Sequence, residues 1–228
     1  MDFNIKNLWA LNIGGVEVWI TTTVVNTWII MSLLILAAIV VRIRIMEFKI
    51  VPGGLQNGVE ALVEMFDGIM RSTAGEKMMG FLGNWYFAIF IFILVSNLSG
   101  LVGMRPPTAD WTTTFAFALA TFILIQAMGL KYRKGAYLKT FFEPSPVFFP
   151  LNLIGELARP ISLSFRLFGN ILAGMILMTL IYELAPIFVR FGIPVFLHAF
   201  FDVFAGGLQA YIFCVLSMSF VGTAAGGE

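Results

Sequence analysis

An all-α integral membrane protein is the fold class this sequence predicts, and three observations predict it. Hydrophobic residues make up 59% of the 228 and charged residues only 12%, against roughly 45–50% and about 25% in soluble domains. Mean hydropathy is +0.92. Uncharged runs close to the ~20 residues that cross ~30 Å of hydrocarbon recur along the chain, several of them closed by basic residues. A soluble globule of this size could not hide so much apolar surface. The same composition excludes disorder, a collagen repeat and a disulfide scaffold.

The first predicted span is Val24–Val41, uncharged and closed by Arg42 and Arg44. Its length, with no small-residue cleavage site after it, reads as a retained anchor rather than a signal peptide. Next, Leu55, Val59, Leu62, Phe66, Ile69 and Met70 recur at the 3–4 spacing of one helix face, with Glu60, Glu64 and Asp67 on other sectors. That pattern predicts one interfacial amphipathic helix lying on the membrane, with its acidic face open to a soluble partner. Phe81–Gly103 is the second span, with Trp85 and Tyr86 near one end where interfacial aromatics belong. Trp111–Leu130 is the third, closed by Lys131, Arg133 and Lys134. Two longer apolar segments follow, Leu151 to about Leu184 and about Ile187 to Val221. At ~1.5 Å per residue each could exceed the membrane thickness, so both must tilt, kink or project from the lipid.

Five crossings in one membrane domain over 1–228 result: an N-terminal segment and first span (1–50), an interfacial helix and loop (51–80), two spans with loops (81–145) and two long helices (146–228). Nine basic residues, Arg42, Arg44, Lys49, Arg71, Lys77, Lys131, Arg133, Lys134 and Lys139, fall on one side, against Lys6, Arg105 and Arg190 on the other. The bias predicts an outside N-terminus and a cytoplasmic C-terminus.

Several function classes drop out. A net charge of +1 suggests no nucleic acid or other polyanion. One cysteine, Cys214, forms no internal disulfide, and one histidine, His198, rules out a bis-histidine haem and an HExxH zinc site. No metal or cofactor is expected. The absence of an internal repeat counts against an inverted-repeat transporter.

Chemistry therefore rests on the ionisable residues of the last two helices. Each charge at mid-membrane costs roughly 2.5–3.5 kcal/mol even on the mild insertion scale, so it must face protein or water. Arg166 has Ser162, Leu163, Gly169 and Asn170 at i±3 and i±4, and none is an acid. Its partner must come from another helix or another subunit. A carboxylate of the same chain, such as Asp202, is the plain alternative to a working charge. Asn170 follows one turn later, and Gly169, Ala173 and Gly174 predict close approach of a neighbouring helix. His198 and Asp202 stand at i,i+4, with Gln209 seven residues further on, a polar stripe that suits an aqueous path or proton relay. His198 reads equally as an interfacial anchor, and Gln209 as interhelical glue. Glu156 and Arg159 form either an interfacial ion pair or part of an ion exit. Glu183 lines an outer vestibule or is simply solvated. By depth, Glu183, His198 and Asp202 fall towards the outside, Arg166 and Gln209 at the middle, and Glu156 and Ser162 towards the inside. The pattern predicts two polar routes separated by a permanent cation.

The run Pro160-Ile-Ser-Leu-Ser-Phe-Arg-Leu-Phe-Gly-Asn-Ile-Leu-Ala-Gly174 closely resembles the signature of subunit a of F-type ATP synthases. Pro106-Pro-Thr-Ala-Asp110 and Gln209-Ala-Tyr-Ile-Phe213 resemble further family segments, and the likeness spans most of residues 81 to 221. The resemblance implies a membrane stator subunit of a rotary ATP synthase, moving H⁺ or Na⁺, with no catalytic site of its own. It implies a c-ring as the partner of Arg166, peripheral-stalk b subunits and the other subunits of the complex, with lipid around them, in a bacterial plasma membrane. Asn170 and Gln209 match polar family positions. Met175 and Asp202 stand where one bacterial version has a glutamate and a histidine, which moves the expected inlet chemistry to Asp202, with His198 or Glu183 assisting. Secondary ion-coupled transport is the alternative reading. An intramembrane hydrolase lacks a readable nucleophile–base pair, and a plain scaffold leaves the cost of Arg166 unexplained.

Overall fold

The computed structural model describes residues 7–13, 16–48, 53–75 and 79–226. Lys6, Lys49 and Lys77, which entered the orientation argument, lie outside the described residues, as does the side chain of Arg190. Among the described residues the regular structure is helical apart from one hairpin, and five helical stretches are long and apolar enough to cross a membrane: Thr22–Arg44, Leu82–Val102, Trp111–Arg133, Pro146–Leu184 and Gly192–Ala225.

The hairpin was not foreseen. Strands β1 (Asn7–Ile13) and β2 (Val16–Thr21) pair antiparallel, with Ala10 opposite Trp19 and Leu11 opposite Val18. The sequence does carry a signal, two short runs with β-branched and aromatic residues on either side of a Gly-Gly dipeptide. Helix α1 (Thr22–Arg44) follows and stands at the periphery, with only Thr23 and Ile30 buried. Asn26 ties it to the rest by donating from Nδ2 to the Arg105 carbonyl at 3.0 Å.

Helix α2 (Gly54–Ala74) takes the place of the predicted amphipathic helix but runs one turn further. Its buried residues are Gln56, Phe66, Met70 and Ala74, whereas Leu55, Val63 and Met65 are exposed. Phe66 stacks edge-on with Phe87 at 5.4 Å and sits 5.6 Å from Phe90. The inner half of α2 is thus held by protein on α3 (Met79–Leu98) and on the last helix, α8 (Gly206–Ala225).

Helix α8 is the hub and packs against α2, α3, α4 (Trp111–Arg133) and α6 (Phe149–Leu184). Lipid removes the usual hydrophobic drive between helices, so small residues and interhelical hydrogen bonds hold such bundles. The contacts here have that character. Thr114 on α4 meets Ser164 on α6 at 3.2 Å between hydroxyls. Ala118, Ala210, Ser217 and Ser164 are each 0% exposed. A Cβ on Gly222 would lie 3.3 Å from the Ala74 Cα, so α2 and α8 approach backbone to backbone.

Helix ends follow local chemistry. Asp110 caps α4 by accepting from the Thr112 amide at 3.0 Å. Pro150 sits in the first turn of α6, where its missing N–H costs nothing, and Pro186 follows its end. A short helix α5 (Gly135–Thr140) links α4 towards α6. Helix α6 runs 36 residues without interruption despite the internal Pro160, about 54 Å at helical rise. The last crossing is not one α-helix. It comprises α7 (Ile187–His198), a π-helical turn at Ala199–Ala205, and α8. Wide π turns inside α-helices gather at functional sites, and this one carries Asp202.

Candidate functional site

Helix α6 presents two faces. Leu163, Ser164, Leu167, Ile171, Gly174 and Met178 turn inward and are buried. Ser162, Phe165, Arg166, Asn170, Ala173 and Leu177 turn outward. Arg166 is exposed on that outward, mainly apolar face, and among the described residues it has no ion pair or hydrogen bond. Asp202, the plain alternative as its partner, bonds His198 instead. On α8, Leu208 and Tyr211 are also exposed, at 45% and 43%. A guanidinium on a broad apolar surface is costly in lipid unless an anion or water meets it.

The close-approach expectation holds for one of its three residues. A Cβ on Gly174 would meet the Phe201 ring at 3.1 Å, so α6 and the π turn do touch there. Gly169 has nothing within 4 Å, and Ala173 is exposed. These two belong to the Arg166 face, where small side chains leave the guanidinium open.

Above Arg166, counting towards the C-terminal end of α6, lies a cavity of about 20 Å³, roughly the space of one water molecule. Asn170, Gly174, Met175 and Met178 line it from α6, His198, Phe201 and Asp202 from the last crossing, and Gly100 and Pro106 from the α3–α4 connection. Asn170 donates from Nδ2 to Gln209 Oε1 at 2.7 Å, joining α6 to α8, and Gln209 is only 3% exposed. His198 is held at both ring nitrogens, Nδ1 against the Asp202 carboxylate and Nε2 against the Tyr182 hydroxyl at 3.1 Å. A histidine gripped this way has a fixed orientation and a defined route for a proton between its two nitrogens. Tyr182 went unnoticed in the sequence because no spacing rule links it to a histidine sixteen positions on. Glu183 is exposed and is not among the residues that line this cavity.

Below Arg166, a cavity of about 430 Å³ opens between α4, α5, α6 and the end of α8. Glu156, 9% exposed, pairs with Arg159 at 2.8 Å and accepts from Gln126 Nε2 at 3.2 Å. The Tyr137 hydroxyl donates to Gln126 Oε1 at 3.1 Å. Burial pushes the Tyr137 phenol above its usual range, and the Glu156 charge adds to the shift. Asn152 spans α6 and the preceding loop by donating to the carbonyls of Phe141 and Glu143, both at 2.9 Å. Ser162 is not part of this lining and sits one turn before Arg166 on the exposed face. Gln126 was the one amide in an otherwise apolar third span, a signal that sequence reasoning passed over.

The two cavities share no lining residue. Leu163 and Leu167 on α6, at 3% and 0% exposure, and Ala210 and Phe213 on α8, both at 0%, fill the interval between them. The arrangement is chemically simple. Each end offers titratable groups beside a cavity, and Arg166 stands at intermediate height on the outer face.

Residues 24–222 match the family described as ATP synthase A chain. The chain is 37% identical over 220 residues to ATP synthase subunit a of Moorella thermoacetica, covering 96% of both chains. It is 35% identical over 226 residues to the protein named ATP synthase subunit a, sodium ion specific, of Propionigenium modestum, covering 89% of this chain and 73% of the relative. To ATP synthase subunit a of Desulfosudis oleivorans it is 36% identical over 206 residues, covering 86% and 85%.

Proposed function

The chain belongs to the ATP synthase A chain family, a membrane component through which ATP synthase moves its coupling ion, and on that premise we propose how its residues divide the work. Arg166 faces the carboxylates of a rotating c-ring. The cavity at Asn170, His198 and Asp202 is the outer route, and the cavity at Glu156 and Tyr137 is the inner one. The ion is H⁺ or Na⁺.

In this reading an ion enters beside Asp202 and neutralises a ring carboxylate, which then tolerates lipid as the ring turns. After nearly a full revolution the carboxylate meets the inner route and releases its ion near Glu156. The bare carboxylate passes Arg166 and pairs with it in transit. A guanidinium keeps its charge throughout, because its delocalised cation does not give up a proton in proteins. That fixed charge repels an ion crossing straight from one route to the other. The membrane potential supplies about 2.3 kcal/mol per charge per 100 mV. Peripheral-stalk b subunits hold the chain still against the ring. The basic-residue bias favours an outside N-terminus and a cytoplasmic C-terminus in a bacterial plasma membrane.

The observation that carries the proposal is the exposed, unpartnered Arg166 at a height between the two cavities. Arg166→Ala in the intact complex is the test. Its expected outcome is a complex that still purifies with its c-ring and soluble ATPase subunits but no longer couples ATP turnover to ion transport. Normal coupled transport would overturn the assignment. Asp202→Asn is expected to slow ion admission from the outside and to alter the pH profile of transport. An unchanged rate and profile would remove Asp202 from the route.

A further inference from the structure

The π turn that carries Asp202 is braced from one side by the C-terminal part of α3 and the connection after it. Asn97, 1% exposed, donates from Nδ2 to the carbonyl of Gly206 at 2.8 Å. Gly206 is the first residue of α8, immediately after the π turn. The Thr108 hydroxyl, 0% exposed, donates to Asn97 Oδ1 at 2.6 Å, so both ends of the amide are occupied. Two glycines mark how close the elements stand. A Cβ on Gly206 would lie 3.0 Å from the Asn97 Cβ, and one on Gly100 would lie 2.9 Å from Asp202 Oδ2. Gly100 also lines the outer cavity.

These contacts do more than join two helices. A wide π turn permits more than one helical register, and a shift of one residue rotates everything beyond it. Asn97 fixes the carbonyl at the end of the turn, and Gly100 forms the wall against which the Asp202 carboxylate rests. With that side closed, the carboxylate is left facing His198 and the cavity. In apolar surroundings a broken amide–carbonyl bond leaves groups that water cannot rescue, so the register is strongly held.

We propose that Asn97 and Thr108 are positioning residues for ion admission: through Gly206 they set the register of the π turn and so aim Asp202 into the outer cavity. The inference rests on the role given to Asp202 above. Asn97→Leu keeps the branched shape and removes both hydrogen bonds. The expected effect in the intact complex is a roughly five- to hundredfold fall in ion-driven ATP synthesis, the scale set by losing two buried hydrogen bonds, with a shifted pH profile. In an Asp202→Asn background the same change is expected to add nothing, because the group being aimed is gone. Effects that multiply in the double variant would show a merely structural role and overturn the proposal while leaving Asp202 in the route. A silent Asp202→Asn would overturn the Asp202 reading and this proposal together, with the Arg166→Ala result standing apart from both. Thr108 gives a second arm if Asn97→Leu prevents assembly. Thr108→Ser keeps the hydroxyl and is expected to transport normally with the original pH profile, whereas Thr108→Val is expected to reproduce the loss and the shift. Equal behaviour of the two Thr108 variants would also overturn it.

Discussion

Among the described residues nothing pairs with Arg166, and a cation at membrane depth costs roughly 2.5–3.5 kcal/mol on the insertion scale. Its position on an exposed face beside Gly169 and Ala173 suits a charge that must meet successive partners rather than keep one. Arg166→Lys should therefore assemble yet lose most coupled transport, since a compact ammonium lacks the planar fork and loses its proton readily when desolvated. Transport at the parental rate would show that any cation suffices. A different residue-scale constraint operates in the inner cavity. A Cβ on Gly129 would lie 2.6 Å from the Tyr137 ring, so Gly129→Ala must push the ring aside and loosen its bond to Gln126. Overpacking of this kind costs about 1–3 kcal/mol. A lowered thermal inactivation temperature of the complex is the expected result. Gly58→Ala, with nothing within 4 Å of the added carbon, should be neutral or slightly stabilising, because alanine is the better helix former.

Among the elements, α4 and the last crossing show how local chemistry sets the geometry of the site. The Asp110 cap fixes where α4 begins, directly after the Pro106–Ala109 segment that holds Thr108 against Asn97. Asp110→Ala should cost about 1 kcal/mol of stability through the lost cap. A small drop in the melting temperature of the detergent-solubilised complex would register it, and an unchanged value would show the cap to be redundant. The π turn is the other decisive element. Its seven residues place Asp202 and Phe201 at the cavity, while Gln209, beyond the turn, is buried against Asn170.

For the molecule as a whole, two cavities lie towards opposite ends of α6, and tightly packed side chains separate them. Such a body conducts only if something else carries the ion past the seal, which is why a neighbouring ring suits it. Orientation gives a direct test. Cys214 is the single cysteine and is buried, so a Cys214→Ser background offers a clean start. A cysteine introduced at Lys139 should react with an impermeant maleimide from the cytoplasmic side only, and one at Asn12 from the outside only. The reverse labelling would invert the topology.

Residue order and composition were enough for the membrane class, the spans, the family resemblance and Arg166 as a candidate. Each is a property of composition, of a run of residues, or of a charge whose cost depends only on the apolar neighbours beside it in the chain. The period-based reading also found α2 and an apolar face on it, of which Phe66 and Met70 are buried while Leu55 and Leu62 are exposed, because only the helices around α2 decide what packs on it. Only the packing of the helices decided that Asp202 pairs with His198 rather than Arg166, that Tyr182 holds His198 and Tyr137 holds Gln126, and that Asn97 reaches Gly206 across 109 positions of sequence. Those contacts depend on which helix stands beside which and on a π turn that breaks the 3.6-residue period. No pattern confined to one segment encodes either.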